Sequence, residues 1–210
     1  MTFSNFGKIS EHSKYLNYIK RTKNIRKVLL VGSGAVGKTS IVKVFKEKSS
    51  LTDLRDYELK YHRTHFLDLE SIKIADLVEK EVEGVITFVD VAGQLDLPIH
   101  ALRDITRTTL GAVDLVFLVF AQDNVNSFLE LSKWVDIIEA EKTVFEEPSE
   151  VKYFLIQNKA DSSGKIAKTL IDQVIQMKPT ILHHFVISCV SGEGIVELQK
   201  ALVKELFGGK

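Results

Sequence analysis

Residues 32–39 form a glycine-rich segment whose composition suits it to hold a chain of phosphates. Its sequence, Gly-Ser-Gly-Ala-Val-Gly-Lys-Thr, matches the pattern G-x-x-x-x-G-K-[ST] and directly follows the apolar run Val28–Val31. Glycines allow consecutive backbone N–H groups to face an anion, and the helix that follows presents its positive end to it. The Lys38 ammonium is expected to bridge the β- and γ-phosphates, and the Thr39 hydroxyl to ligate Mg²⁺. The predicted phosphate contacts are Gly32, Ser33, Gly34, Ala35, Val36, Gly37, Lys38, Thr39 and Ser40.

A second segment, Asn158-Lys159-Ala160-Asp161, carries residue types that distinguish guanine from adenine. The Asp161 carboxylate can accept hydrogen bonds from both the N1–H and the exocyclic amine of guanine. Adenine presents an acceptor where guanine presents a donor, which leaves the carboxylate unpaired at an energetic cost. The pattern N-K-x-D is short and occurs in many solvated loops, so it indicates a guanine nucleotide only because a phosphate loop precedes it. Asn158, Lys159 and Asp161 are the predicted base contacts.

The third segment is Asp90-Val91-Ala92-Gly93-Gln94, at the end of an apolar run. Asp and Gly are common in turns, so D-x-x-G by itself is a weak signal. Together with the other two motifs, Asp90 is expected to hold Mg²⁺ through water, the Gly93 N–H to contact the γ-phosphate, and Gln94 to orient an attacking water. Mg²⁺ is thus the predicted cofactor, with Thr39 and Asp90 among its ligands. The predicted catalytic residues are Gln94, Lys38 and Gly93.

Short apolar runs alternate with amphipathic segments along the chain. The runs expected to be strands are Arg26–Val31, Val85–Val91, Leu115–Phe120, Tyr153–Gln157 and Phe185–Ser188. The segments expected to be helices are Thr39–Lys48, Leu102–Leu110, Ser127–Glu141, Lys165–Met177 and Ile195–Phe207. This alternation predicts an α/β fold with three layers and a mostly parallel six-stranded sheet. The phosphate-loop pattern after its first strand indicates the P-loop NTPase type. Ligands of such sheets bind beyond the carboxyl ends of the strands, where all three motifs fall.

One stretch departs from this alternation. Phe66–Ala75 and Val82–Val91 are typical of the two strands of a hairpin that turns at Asp76–Glu81. One antiparallel strand is therefore expected at an edge of the sheet.

The composition is that of one globular domain. Its 210 residues suit a single domain, and 45% hydrophobic with 27% charged residues is the balance of a folded, soluble protein. Basic and acidic residues both number 28, which argues against a surface built to bind nucleic acid. The single cysteine, Cys189, excludes an internal disulfide and favours a reducing, cytoplasmic location. No apolar run approaches the roughly 20 residues of a membrane-spanning helix.

With the three motifs in this order, the sequence resembles the Ras-like small GTPases over about Arg26–Phe207. The phosphate loop, DVAGQ at 90–94 and NKAD at 158–161 match three of that family's five signatures. The resemblance implies a molecular switch that binds GTP or GDP with Mg²⁺, hydrolyses GTP slowly, and works with activating, exchange and effector proteins. A GTP-binding scaffold with negligible hydrolysis is the alternative. A P-loop ATPase or nucleotide kinase comes third, because NKAD argues against adenine.

Two family signatures match less closely. The family's first switch segment supplies a threonine that ligates Mg²⁺ and contacts the γ-phosphate. By position Thr64 fits this role best, with Thr52 as the alternative, and Tyr57 either lies against the edge of the guanine or has a plain packing role. The last signature, usually Ser-Ala-Lys, is replaced by Ser188-Cys189-Val190, whose backbone N–H groups can still reach the guanine carbonyl oxygen. Because the lysine that packs near the base is missing, a lower nucleotide affinity is expected.

Other residues have a structural and a functional interpretation. Cys189 is expected to be a small buried residue, since a redox role needs a lowered thiol pKa. His183 and His184 stand ahead of the last predicted strand, are expected on opposite faces, and are not expected to bind a metal. Arg55 and Arg63 are interpreted as solvated surface residues rather than as a catalytic arginine in cis. A partner protein is expected to supply that arginine.

The amino-terminal segment is strongly basic. Residues 1–27 hold seven Lys and Arg against one Glu, whereas the remainder is mildly acidic. Residues 1–24 are therefore interpreted as an extension before a small GTPase domain at 25–210. A short helix at 10–23, with one apolar and one basic side, would suit weak peripheral contact with anionic lipid. Packing on the domain or a flexible lead-in is favoured over that contact. Neither end carries a residue for covalent lipidation, so any attachment would be non-covalent.

Overall fold

The computed structural model describes residues 24–47, 67–78, 83–93, 113–144, 151–164 and 166–208. Within these residues one sheet has the strand order β2-β3-β1-β4-β5-β6. Its strands are β1 (Ile25–Val31), β2 (Leu67–Lys73), β3 (Val85–Val91), β4 (Leu115–Ala121), β5 (Tyr153–Asn158) and β6 (Ile181–Val186). Among the strands of the described residues, only the edge pair β2 and β3 is antiparallel, and the other neighbouring strands are parallel. The predicted α/β fold, with a mostly parallel sheet and one antiparallel edge strand, is confirmed.

Helices cover both faces of the sheet. In the described part of the chain they are α1 (Lys38–Glu47), α2 (Ile74–Leu77), α3 (Val125–Leu129), α4 (Leu131–Val144), α5 (Lys168–Met177) and α6 (Ile195–Phe207). On one face, α1 and α6 bury Ile41, Phe45, Leu198 and Leu202. On the other, α3, α4 and α5 bury Phe128, Trp134 and Ile171. Because both faces are covered, β4 is buried along its whole length and reads as a continuous apolar run.

The last strand differs from its prediction. It was expected at Phe185–Ser188, but β6 spans Ile181–Val186, so that His183 and His184 lie inside the strand rather than ahead of it. The cause is its position at the sheet edge, since four of its six residues are polar or exposed enough to hide the apolar pattern. The two imidazoles do point to opposite faces, as expected. His183 packs on Phe154 in one core cluster and His184 on Phe120 in the other.

Three further boundaries differ. The helix expected at Ser127–Glu141 is divided at Glu130, whose N–H bonds to carbonyls of α3 before α4 begins. The hairpin between β2 and β3 contains the short helix α2 instead of a plain turn at Asp76–Glu81, because the apolar side chains of Ile74 and Leu77 are buried. Helix α5 begins at Lys168 rather than Lys165. The predicted helix at Leu102–Leu110 lies outside the described residues. Among the described helices, none has the length and apolar composition that a membrane span requires.

Candidate functional site

The phosphate loop lies between the carboxyl end of β1 and the start of α1. Gly32 and Gly37 have φ angles of 142° and 97°, which residues with a Cβ rarely adopt. A Cβ on Gly32 would collide with the carbonyl of Val119 in β4, and one on Gly37 would collide with the side-chain amide of Asn158. The glycines of the motif are therefore required both by backbone conformation and by close packing of the loop on its neighbours.

Lys38 is buried inside this loop. Its Nζ donates hydrogen bonds to the carbonyl oxygens of Gly32, at 2.8 Å, and Ser33, at 3.0 Å, and the residue is only 6% exposed. Burial lowers the pKa of the Lys38 ammonium to about 8, although the Asp90 carboxylate opposes that shift. The loop thus holds a cation in a position where it is poorly solvated, and a phosphate anion would compensate for that lost solvation.

Thr39 and Asp90 bring together the first helix and the end of β3. The Thr39 hydroxyl donates a hydrogen bond to the Asp90 carboxylate, and Asp90 is 3% exposed. A hydroxyl and a carboxylate oxygen at one point are ligands that Mg²⁺ prefers, so these residues fit the predicted cofactor. The described residues contain no group of three or more His, Cys, Asp or Glu side chains that could hold a metal ion by themselves. Phosphate oxygens would have to complete the magnesium coordination.

Gly93 connects the D-x-x-G segment to the phosphate loop. A Cβ at this residue would collide with the backbone of Ser33 and Gly34. The backbone of Gly93 therefore lies directly against the phosphate loop, where a side chain would separate them. This contact brings together the first and third motifs.

Asn158 joins residues 158–161, the segment predicted to recognise the base and called the base-recognition segment below, to the phosphate loop. Its Nδ2 donates to the carbonyl of Val36 at 2.9 Å, and its Oδ1 accepts from the backbone N–H of Cys189 at 3.3 Å. The residue is 2% exposed. One buried amide therefore bonds to the phosphate loop and to the segment at 188–190, so the two ends of the site are held at a fixed separation.

Asp161 lies at the surface of the proposed base end of the site, next to the fully buried Ser188. Asp161 is exposed, and one of its carboxylate oxygens accepts a hydrogen bond from the Ser188 hydroxyl. Lys159 has a left-handed backbone, with φ of 63°, and its Nζ lies 3.3 Å from the carboxylate of Asp123. Lys159 is thus paired with Asp123, and the Asp161 carboxylate lies at the surface, where a ligand can reach it.

Cys189 is a packed residue in this loop. It is 3% exposed, and burial raises the pKa of its thiol to about 12. A thiol in this state is a poor nucleophile, which supports the structural interpretation over a redox role. The neighbouring Val190 is partly buried against the core cluster that lies beneath α1 and α6.

Several predicted site residues lie outside the described residues. They are Gln94, Tyr57, Thr64 and its alternative Thr52, together with Arg55, Arg63 and residues 1–23 of the predicted amino-terminal extension at 1–24.

Two contacts of the site were missed in the sequence. The Ser33 hydroxyl donates to the carboxylate of Glu130, the turn residue between α3 and α4. Gln122, Gln157 and His184 form a hydrogen-bonded series beneath the base-recognition segment. Neither belongs to a short motif, because each contact joins residues far apart in the chain. A polar residue inside an apolar strand, such as Gln157, was the one available signal.

The fold and the three converging loops define the class: an α/β protein of the P-loop NTPase type. The model of the Ras family matches residues 27–207, and the chain belongs to that family of small GTPases. It is 30% identical over 135 residues to the Ras-related protein Rab-28 of Caenorhabditis elegans, covering 64% of this chain and 48% of the relative. The chain thus spans about half the length of that relative. It is 27% identical over 164 residues to the Ras-related protein RABG1 of Arabidopsis thaliana, covering 75% of this chain and 71% of the relative.

Proposed function

We propose that this protein is a guanine-nucleotide-dependent switch that binds GTP and GDP with Mg²⁺ and slowly hydrolyses GTP. The observation that carries the proposal is the position of Asn158, whose amide bonds to Val36 in the phosphate loop and to Cys189 beside the base-recognition segment. This arrangement gives the site a phosphate end and a base end separated by one buried side chain. Membership of the Ras family supports the same function.

The phosphate end supplies charge and hydrogen-bond donors. The backbone N–H groups of residues 32–39 and the positive end of α1 are proposed to stabilise the anion, and the buried Lys38 ammonium to neutralise part of its charge. Mg²⁺, when bound at Thr39 and Asp90, would neutralise further charge on the phosphates. All of these groups stabilise a transferring phosphoryl group better than they stabilise a neutral ligand.

The base end supplies selectivity. The Asp161 carboxylate accepts from Ser188 through one oxygen in this structure and is exposed to solvent. A guanine would offer its N1–H and its exocyclic amine to that carboxylate. Backbone N–H groups at 188–190 are proposed to meet the carbonyl oxygen of the same base.

Hydrolysis is proposed to be slow without a partner. Gln94 is the proposed residue that orients water, and a glutamine is too weak a base to activate it strongly. An arginine supplied by an activating protein adds about 10³ to 10⁵ in rate to sites of this kind. Loss of the γ-phosphate contact at Gly93 would then change the surface presented to effectors.

Binding is tested by the identity of the nucleotide. Mass spectrometry of the nucleotide released from the purified protein should find GDP or GTP. Calorimetry with Mg²⁺ should show GDP and GTP bound at least about 100-fold more tightly than ADP and ATP, because adenine leaves the Asp161 carboxylate unpaired. Equal affinity for ATP and GTP, or no binding of either, would contradict the proposal.

Hydrolysis is tested separately, because a GTP-binding scaffold would pass the binding test. Single-turnover conversion of GTP to GDP by the wild-type protein should be measurable and should fall in Gln94→Leu. A matched control is Gln176→Leu on the exposed face of α5, which should leave the rate unchanged. A wild-type rate no faster than that of Gln94→Leu would favour the scaffold.

A further inference from the structure

Three polar side chains, two from neighbouring strands and one directly after a third strand, form a hydrogen-bonded series beneath the base-recognition segment. His184 of β6 contacts Oε1 of Gln157 in β5 at 3.2 Å, and Gln157 Nε2 donates to Oε1 of Gln122 at 2.9 Å. Gln122 follows β4, and its Nε2 donates to the carbonyl of Ser162 at 2.9 Å. We call His184, Gln157 and Gln122 the glutamine relay.

The relay has a defined direction. Because Gln157 donates to the oxygen of Gln122, the amino group of Gln122 is left to donate outward. It lies within 3.5 Å of the Ala160 carbonyl as well as 2.9 Å from that of Ser162. Those two residues flank Asp161 in the chain. A single side-chain amide therefore holds the backbone on both sides of the carboxylate that recognises the base.

The backbone around the relay is held at the same place. The N–H of Gln122 donates to the Asn158 carbonyl at 2.8 Å, and the N–H of Ala160 donates to Ile187 at 3.0 Å. A Cβ on Gly164 would collide with the backbone of Asp123, so the loop after Asp161 lies directly on the chain after β4. Gln157 is 8% exposed, so its amide makes its hydrogen bonds to Gln122 and His184 in a poorly solvated environment.

We propose that Gln122, supported by Gln157 and His184, is a positioning residue that fixes Asp161 for guanine and thereby sets how long the nucleotide stays bound. The inference rests on the proposed function. A carboxylate whose flanking backbone is already fixed loses little conformational freedom when the base binds. Removing the donor frees that backbone, so the base contact weakens while the phosphate contacts of residues 32–39 stay in place.

The effect falls specifically on the two hydrogen bonds of Asp161. Inosine has the N1–H of guanine but lacks its exocyclic amine, so it can use only one of them. A correctly positioned carboxylate makes GDP dissociate more slowly than IDP. Loss of positioning reduces that advantage, whereas a general loss of stability shortens both residence times in proportion.

The experiment measures dissociation of the methylanthraniloyl derivatives of GDP and IDP from the full chain with Mg²⁺. Gln122→Met keeps the side-chain length without a donor and should speed GDP release about tenfold, while the ratio of IDP to GDP release rates falls by about threefold or more. Gln122→Glu keeps the acceptor for Gln157 but sets a carboxylate against the Ser162 carbonyl. This variant should therefore release GDP at least as fast as Gln122→Met does. Gln176→Met, on the exposed face of α5, is the matched control.

The outcomes separate the two proposals. If wild-type protein binds neither nucleotide, the proposed function and the relay both fail. If wild-type protein binds GDP and both Gln122 variants keep its ratio of release rates, the relay alone is overturned, even where the melting temperature has dropped. A reduced ratio in either folded variant, with Gln176→Met unchanged, supports the relay.

Discussion

The phosphate end and the base end of this site are held in place by different kinds of contact. At residues 32–39 the geometry is carried by backbone: Gly32 and Gly37 adopt positive φ angles, and Lys38 bonds to two loop carbonyls. At residues 158–161 it is carried by side chains, with Asn158 bonding to the phosphate loop and Gln122 bonding to the carbonyls around Asp161. The phosphate end depends on glycines, which have no side chain to collide with neighbouring groups. The base end depends on the side-chain amides of Asn158 and Gln122.

This difference decides how each end responds to substitution. A backbone cradle tolerates no added atom, since the loop already touches β4, Asn158 and Gly93. A side-chain scaffold loses one hydrogen bond at a time, and its neighbours continue to hold the loop. We therefore expect substitutions at the phosphate end to abolish binding and substitutions at the base end to change selectivity or residence time.

The largest effect is expected for Gly37→Ala. The new Cβ would collide with the Asn158 amide, and the φ of 97° would be strained, so both ends of the site are disturbed together. Calorimetry should show GDP affinity reduced by more than about 100-fold, and urea unfolding should show a loss of about 1–3 kcal/mol. Ala35→Gly, on the same loop at a φ of 60°, is the control and should retain binding. Unchanged GDP affinity in Gly37→Ala would mean that the loop is not a tight cradle.

The next largest effect is expected for Asp161→Asn. An amide cannot accept from both guanine donors, so GDP should bind about 30- to 100-fold more weakly. Xanthine carries a carbonyl in place of the exocyclic amine, so XDP should gain affinity in the variant. Asp161 is exposed, and the free energy of unfolding should change by less than about 0.5 kcal/mol.

The control for this exchange is Asp136→Asn, an exposed carboxylate on α4. It should bind GDP as the wild-type protein does and should not bind XDP. An Asp161→Asn protein that still prefers GDP would show that the base is recognised elsewhere.

The same contrast explains what could be predicted from the sequence. The proposed phosphate contacts are consecutive residues, because consecutive backbone amides would bind the anion. Asn158 and Asp161 form a short motif because both side chains project from the end of β5 and the loop directly after it. The bond from Ser33 to Glu130 and the relay from Gln122 to His184 depend on strand order and register, which no local pattern records. Strand β6 was misplaced because it lies at the sheet edge, where exposed and partly buried residues, two of them histidines, replace a continuous buried apolar run.

A smaller effect is expected in the pH dependence of binding. Burial holds the pKa of Lys38 at about 8 without nucleotide, and bound phosphates would raise it, because they favour the charged form. Binding should therefore take up a proton above about pH 8, where the free lysine is largely neutral, and little below about pH 7. GDP affinity should fall as the pH rises from about 7 to about 9.

Calorimetry in buffers of different ionisation enthalpy measures this proton uptake directly. Lys38→Arg is the comparison, because a guanidinium stays charged throughout that range and should abolish the uptake, whatever affinity it retains. Equal uptake in both proteins would assign the proton to another group.

The smallest effect is expected at the base end, in the stability of the free protein. Burial lowers the pKa of His184, with Asp172 opposing that shift and Lys168 reinforcing it. The unfolded chain therefore binds the proton more readily than the folded chain does. The contribution of neutral His184 to the free energy of unfolding should be complete above the ordinary pKa of 6.5 and should be lost as the pH falls through that value. In His184→Gln this pH dependence of the free energy of unfolding should disappear, whereas His183→Gln, on the opposite and more exposed face of β6, should keep it.

The pH dependence reports the burial of His184 rather than loss of the relay. Nε2 carries a hydrogen in the imidazolium as well, so protonation leaves the bond to Gln157 intact. Urea unfolding of the nucleotide-free chain between about pH 7 and pH 5 measures it, and identical slopes in the two variants would show that His184 is solvated in the folded state.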